Sequence, residues 1–395
     1  MNTLNRQKPI IIAHRGASGL RPEHTLASFR LALEQGANFI ETDVVMTKDG
    51  IPIIRHEPLL DNTTNICDHP EYSNCYTTKI IDGKKVTGFF AEDFTLEDIK
   101  TLRARQPVVE RSKEFDNLWE IPTLAEVIEL VKDFQANTGK AVGIVHELKH
   151  NSYFNSIGLN VEEAVVKVLV ESNFTKREQN IIQAFEITPL IRLKNEIMPD
   201  AGIDLALHQL VGATIQNNYP NFSLPYDLIV NLGDSNLTEA DLRSIYGDLI
   251  ELIDRPWRYA ERNRNTTNNY NYSNLLSSPE FYQFVSTYAE AINPDKNIVL
   301  LRRDLNRSVN SNNKITFKLT GEVFPLIDLA HRASLKVNIY TLRNEEPYLS
   351  LNLDGMLQTP EAEAEKLIRL GVDGLIGDFP QTLVNVRDRI FQNDK

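Results

Sequence analysis

Ile11-Ile-Ala-His-Arg-Gly-Ala-Ser-Gly-Leu-Arg-Pro-Glu-His-Thr25 begins as an apolar run and, where the run stops, sets down a histidine and an arginine. From Lys8 to Ala13 the run is continuous rather than alternating, the pattern of a strand covered on both faces. Behind it, Thr25 can cap a helix whose Leu26, Phe29, Leu33 and Ala37 share one side, and Gly36 offers a stop. A buried strand, a polar turn and an amphipathic helix make one βα unit.

The unit recurs along the 395 residues. Strands are expected at Lys8–Ala13, Phe39–Met46, Ala141–Leu148, Asn180–Ala184, Gly202–Leu207, Lys296–Leu301, Lys336–Thr341 and Val372–Ile376. Helices are expected between them, among them Thr123–Asn137, Val161–Glu171, Thr188–Ile197, Ser278–Ala289, Glu322–Ala333 and one that starts at Thr359-Pro360. Eight such units in residues 1–395 favour a single α/β domain, a (β/α)8 barrel, over an open doubly wound sheet.

Three features decorate the alternation. Lys48-Asp49-Gly50-Ile51 reads as a tight turn into Pro52–Arg55, and a two-residue loop there sets Asp43 opposite His56. Residues 58–95 are polar and look like an insertion over one rim; they hold both cysteines, Cys67 and Cys75, which are close enough in sequence for a short-loop disulfide or are two free thiols. Residues 211–280, rich in Asn and Tyr, form a second irregular region, with one helix expected around Glu239–Ile253.

Composition narrows the function. With 42% hydrophobic and 24% charged residues and no apolar run near the ~20 residues of a membrane helix, no integral membrane segment is expected. A net charge of -12 argues against a nucleic-acid partner or an anionic membrane surface. An anionic small molecule can still bind through local Arg, Lys or metal. Met1 to Lys8 is too short for a signal peptide, so either the protein is cytoplasmic, or it is periplasmic or secreted and the signal has been removed.

In a (β/α)8 barrel the chemistry sits at the C-terminal ends of the strands. Those ends carry His14 and Arg15, then Glu41 and Asp43, His56 on the hairpin, and Glu147 and Lys149, with Gln183, Tyr340 and Asp378 at later ends. Glu41 and Asp43 are two apart in a strand and share a face, as do Glu147 and Lys149. Three converging carboxylates without a cysteine pair suit a hard divalent cation, Ca2+ or Mg2+, rather than zinc. Two histidines suit a general acid and base, and Arg15 and Lys149 suit a phosphate. A Glu-x-Asp pair is often only an ion-paired rim and a lone strand-end histidine is more often structural, but here one fold gathers all of them. The set describes metal-assisted phosphodiester cleavage. His24, His69, His146, His150, His208 and His331 read as structural, with His150 near enough to the mouth to touch substrate.

These residues also carry a resemblance. His14-Arg-Gly-Ala-Ser-Gly-Leu-Arg-Pro-Glu-His-Thr25, Glu41-Thr-Asp43-Val-Val-Met-Thr-Lys-Asp-Gly50, Ile54-Arg-His56-Glu57, His146-Glu147-Leu-Lys149, Gln183-Ala-Phe185 and Gly374-Leu-Ile-Gly-Asp378-Phe-Pro380 together resemble the bacterial glycerophosphodiester phosphodiesterases, most of all their periplasmic type. The resemblance implies a TIM barrel with a small insertion after the second strand, which fits residues 58–120. It implies hydrolysis of glycerophosphodiesters, such as glycerophosphocholine and glycerophosphoethanolamine, to sn-glycerol 3-phosphate and an alcohol. It also implies metal ligation by Glu41, Asp43 and Glu147, with Ca2+ favoured and Mg2+ the alternative. His14 and His56 would exchange protons and Arg15 and Lys149 would grip the phosphate, while Gln183, Phe185 and Tyr340 are possible substrate contacts. Where many relatives have His-Asp, this chain has His56-Glu57, the same carboxylate on a longer arm.

Rival readings share parts of the set. Phosphatidylinositol-specific phospholipase C and spider-type phospholipase D use a similar barrel and histidine pair but call for an apolar, lipid-facing rim. A binder or sensor without turnover needs no proton shuttle. A glycosidase built on Glu41 and Glu147 leaves both histidines and Arg15 idle.

Overall fold

The computed structural model describes residues 3–212, 214–216, 219–221, 225–252, 273–305 and 314–392. Eight parallel strands alternate with helices in the order of a (β/α)8 barrel. The chain divides into two compact units, one of Met1–Pro9, Phe185–Arg192 and Leu207–Leu375, the other of Ile10–Ala184, Leu193–Ala206 and Ile376–Lys395.

The second of these holds β1 (Ile10–Ala13), α1 (Leu26–Glu34), β2 (Phe39–Met46), β3 (Pro52–Ile54), the hairpin β4 (Thr77–Ile81) and β5 (Lys84–Gly88), α2 (Leu96–Thr101), α3 (Leu124–Thr138), β6 (Gly143–Leu148), α4 (Asn151–Ser156), α5 (Val161–Glu171) and β7 (Asn180–Ala184). β1 pairs with β2, β2 with β6 and β6 with β7, all parallel, and the register sets Asp43 beside Glu147. Ile11, Ile12, Ile40, Val44, Ile144, Val145 and Ile182 are fully buried. So are Phe29 of α1 and Val127, Ile128 and Val131 of α3, each such side chain contributing about 1.5–3 kcal/mol. Helix α3 starts in a capping box, with Thr123 Oγ1 accepting from Glu126 N at 3.2 Å and Glu126 Oε2 accepting from Thr123 N at 2.7 Å. It stops at Gly139, whose φ of 68° is left-handed.

In the other unit lie most of β8 (Ala206–Val211), β9 (Ala291–Pro294) and β10 (Lys336–Leu342), with β8 and β10 each pairing parallel to β9. The last parallel strand, β11 (Gly374–Gly377), leads into the C-terminal helix Pro380–Gln392. Of the irregular region 211–280, residues 213, 217–218, 222–224 and 253–272 lie outside the described residues; the remainder contains helices Tyr226–Gly233, Glu239–Tyr246 and Leu249–Leu252. Within the insertion, Cys67 and Cys75 are free thiols.

Four expectations are corrected. The hairpin after β2 pairs Val44 with Ile54 and Met46 with Pro52, one residue out of the expected register. Its loop is longer, closed by Thr47 N on Ile51 O, with Gly50 at φ 76°; Asp43 therefore faces Arg55, whose N–H donates to Asp43 O at 3.0 Å, and not His56. The expected strand Gly202–Leu207 is β8, displaced to Ala206–Val211, because Ile203 N still closes the preceding helix on Met198 O at 3.0 Å. Lys296–Leu301 is not a barrel strand: Asp295 caps a helical turn, Lys296–Val299, and the parallel strand is the earlier Ala291–Pro294. The expected helix Glu322–Ala333 is confined to Leu326–Arg332, since Phe317–Val323 is a strand paired antiparallel with Leu300–Asp304.

Candidate active site

At the end of β1 the chain turns sharply. Arg15 and Gly16 have φ of 59° and 85°, and His14 N is anchored on Gly377 O at 3.0 Å. His14 is thereby fixed beside the start of the C-terminal segment, where its Nδ1 meets Asp378 Oδ1 at 2.5 Å and its Nε2 lies 3.9 Å from Glu41 Oε2. Asp378 is itself gripped by Arg111 Nη2 from the insertion, and Arg111 Nη1 also donates to Ser18 O at 3.0 Å.

Glu41 and Asp43 of β2 and Glu147 of β6 are buried, and one carboxylate oxygen of each lies within 4.8 Å of the others. Gln183 at the end of β7 donates to Glu41 Oε1 at 3.0 Å and reaches Glu147 Oε2 at 3.4 Å. Arg15 donates its backbone N–H to Glu41 Oε2 at 3.1 Å and stretches its guanidinium between Glu23 Oε2, at 3.1 Å, and Asp43 Oδ2, at 3.3 Å. His24 Nε2 lies 2.7 Å from the same Asp43 oxygen.

Burial, together with the charges of Asp43 and Glu147, pushes the Glu41 carboxyl well above its ordinary range. Burial likewise lifts Glu147 to about 7, with Asp43 adding to it and Lys149 opposing it. Against its own burial, Asp43 is held well below the usual range by Lys149, His24 and His56. Its Oδ1 is buried without a hydrogen-bond partner among the described residues. An all-oxygen triad short of positive charge, with one carboxylate oxygen unengaged, fits a hard divalent cation.

His56 is half-buried beside this triad. Its Nδ1 is 2.9 Å from Glu57 Oε1, and its Nε2 accepts from Lys149 Nζ at 3.2 Å. Lys149 Nζ also donates to Glu147 Oε1 at 2.8 Å. Burial and the cations Arg15 and Lys149 push the His56 ring down to about 4, so it is neutral at neutral pH, with Nε2 as an acceptor. Although its own burial works the other way, Glu147, Asp43 and Glu57 hold Lys149 above its ordinary value as a permanent cation.

The structure thus brings together His14, Arg15, Glu41, Asp43, His56, Glu147, Lys149 and Gln183. Phe185 and Tyr340 belong to the other unit, where their rings meet edge to face at 6.1 Å and Tyr340 donates to Val211 O at 3.0 Å. Sequence reading passed over three partners, His24 on Asp43, Glu23 on Arg15 and Arg111 on Asp378, and it noted Glu57 and His150 without joining them to each other. His24 and Glu23 were visible in the Pro22-Glu-His-Thr25 turn, but nothing local marked Arg111 in its long loop.

The profile of the glycerophosphoryl diester phosphodiesterase family matches residues 14–219 and 253–382. A glycerophosphodiester phosphodiesterase of Arabidopsis thaliana is 28% identical over 399 residues, covering 98% of this chain and 87% of its own length. One from Haemophilus influenzae is 33% identical over 225 residues, 54% of this chain and 59% of its own. Among solved structures, a phosphodiesterase of Oleispira antarctica in complex with the product sn-glycerol-3-phosphate aligns with a TM-score of 0.53 at 20% identity, covering 98% of this chain and 99% of that one. A glycerophosphoryl diester phosphodiesterase of Silicibacter pomeroyi aligns at 0.55 and 18%, covering 98% and 95%. With the family profile matching well over half of its residues, this chain belongs to the glycerophosphoryl diester phosphodiesterase family and is an enzyme with glycerophosphodiester phosphodiesterase activity.

Proposed function

We propose that the enzyme hydrolyses small soluble glycerophosphodiesters, such as glycerophosphocholine and glycerophosphoethanolamine, to sn-glycerol 3-phosphate and the free alcohol, with one divalent cation and two histidines. The observation that carries this reading is the buried Glu41, Asp43 and Glu147 triad flanked by two histidines, each held at Nδ1 by a carboxylate.

Glu41, Asp43 and Glu147 would hold the cation, Ca2+ in the first instance and Mg2+ as the alternative. Bound there, it supplies positive charge against the phosphoryl oxygens. Arg15 and Lys149, both permanent cations, bind the non-bridging oxygens of the phosphate and oppose the charge that grows on them in the transition state. One histidine removes the proton of the attacking oxygen and the other protonates the leaving alkoxide. Asp378 and Glu57 hold the two rings at Nδ1, so that Nε2 is the proton-transferring atom of each; that of His56 is shared with Lys149 Nζ until substrate phosphate draws the ammonium away. The attacker is water or the neighbouring glycerol hydroxyl. Gln183 is proposed as a substrate contact.

A coupled glycerol 3-phosphate assay over a panel of glycerophosphodiesters, with and without Ca2+, tests the reading directly. Turnover of glycerophosphocholine that vanishes in EDTA and returns with Ca2+ or Mg2+ is expected. Full activity after exhaustive chelation would refute the carboxylate site, and turnover confined to lysolipid or sphingomyelin would move the enzyme to the phospholipase side.

A further inference from the structure

The insertion sends one turn back toward the proton-transferring histidine. β4 and β5 are joined at Asp82-Gly83, both at positive φ, 48° and 74°. From that turn Asp82 Oδ2 accepts from His150 Nδ1 at 2.6 Å. The other ring nitrogen of His150 donates to Glu57 Oε2 at 2.9 Å, and Glu57 Oε1 is 2.9 Å from His56 Nδ1. Four side chains from three segments make one unbroken line from the tip of the insertion to the catalytic ring.

The hairpin that carries Asp82 and the backbone at His150 are fixed by other contacts. Lys79 of β4 pairs with Glu92 at 2.7 Å and Asp93 at 2.8 Å, and Glu92 accepts from Tyr153 of α4, the helix that His150 begins. His150 itself sits at φ 49°, a conformation that an ordinary residue adopts only when its surroundings hold it there. Glu57, by contrast, is exposed on a flexible arm, and in water such a side chain samples several rotamers. His150 holds Glu57 Oε2 while Glu57 Oε1 meets His56. In spite of burial, Asp82 and Glu57 raise the His150 ring to about 9, so at neutral pH it is a cation with both N–H groups available to donate.

We propose that Asp82 and His150 are positioning residues of the reaction: together they hold Glu57 in the one arrangement that orients His56 through its Nδ1. The inference rests on the reading of His56 as a proton-transfer group. Asp82 also has a plain structural task, since a turn with two positive φ angles favours Asp, Asn or Gly. Asparagine performs that task equally well but is a much weaker acceptor for a protonated His150, so Asp82→Asn separates the two roles.

The test is steady-state kinetics of the full chain on glycerophosphocholine with Ca2+ or Mg2+, alongside thermal melting. Asp82→Asn is expected to lower kcat about tenfold while KM stays within about twofold and the melting temperature is kept, the signature of a ring held slightly out of place. His150→Ala is expected to lose at least as much, and the Asp82→Asn/His150→Ala double variant no more than His150→Ala alone, because the residues act in series. A kcat for Asp82→Asn within about twofold of wild type, or losses that multiply in the double variant, would overturn the inference, provided His56→Ala is inactive. Near-normal turnover by His56→Ala would instead sink the underlying reading of His56, and the inference with it.

Discussion

Asp378 joins two parts of the chain that have no sequence signal in common, accepting from His14 on one side and from Arg111 on the other. Asp378→Asn keeps the shape but cannot stabilise a positively charged ring, and its amide can impose the wrong tautomer on His14. It should cost two or more decades of kcat, about as much as His14→Ala, with little change in KM. Retention of more than a tenth of wild-type kcat would show that His14 does not move a proton. His150 offers a readout in stability. Its folded value of about 9 lies above the ~6.5 of an unfolded chain, so its contribution is full below pH ~6.5 and disappears as the pH rises through about 9. Urea-unfolding midpoints measured at pH 6 and pH 9.5 should fall more for wild type than for His150→Ala, and parallel falls would count against the two-carboxylate clamp. At this scale the sequence displayed the groups that do chemistry, because strand-end position and two-residue spacing are local facts. It concealed what orients them, because Arg111, Asp82 and His150 gain meaning only from contacts made at long range.

The β1 turn and the β2 hairpin show what an element adds. Gly16 sits at φ 85°, and a Cβ there would lie 2.4 Å from Ser28 Oγ and 2.8 Å from the Ser28 carbonyl carbon, against the start of α1. Gly16→Ala should therefore destabilise the fold by about 2–3 kcal/mol and displace the adjoining Arg15 and His14, lowering kcat as well as the unfolding midpoint. A variant as stable and active as wild type would mean that the turn is soft. In the hairpin, Asp49-Gly50 announced a reversal but not its length. Thr47 decides it, donating from Oγ1 to Asp49 Oδ1 at 2.6 Å and accepting from Ile51 N at 2.9 Å, which favours the longer loop. A one-residue slip reverses the face of every side chain, so an error that small was enough to pair Asp43 with the wrong partner. The missed strand Ala291–Pro294 has a similar cause. Only four residues long and ending in proline, it was less strand-like than the apolar Ile298–Leu301 that follows, and the Asp295 cap that turns the chain lies between them.

Over the whole molecule the acidic excess and the candidate cation site bear on the same balance. The chain carries a net charge of -12, and three of its carboxylates are buried together, with Glu41 driven well above its ordinary value by desolvation and by its neighbours. Holding that triad ionised without a cation costs stability that catalysis requires and folding does not. Two consequences have opposite signs. A bound cation should raise stability by RT ln(1 + [L]/Kd), about 4 kcal/mol at a thousandfold excess over Kd, so Ca2+ should lift the melting temperature of wild type and EDTA should lower it. Glu41→Gln removes an ionisable carboxyl with little change in volume; because Gln183 and the Arg15 N–H bond different oxygens of Glu41, the amide keeps only one of these two hydrogen bonds. In EDTA this variant should melt above wild type, by the equivalent of about 1 kcal/mol, while it loses both turnover and the response to Ca2+. If Glu41→Gln instead melts below wild type in EDTA, the internal ion pairs with Arg15 and Lys149 already balance the triad, and the argument that the site is short of positive charge fails.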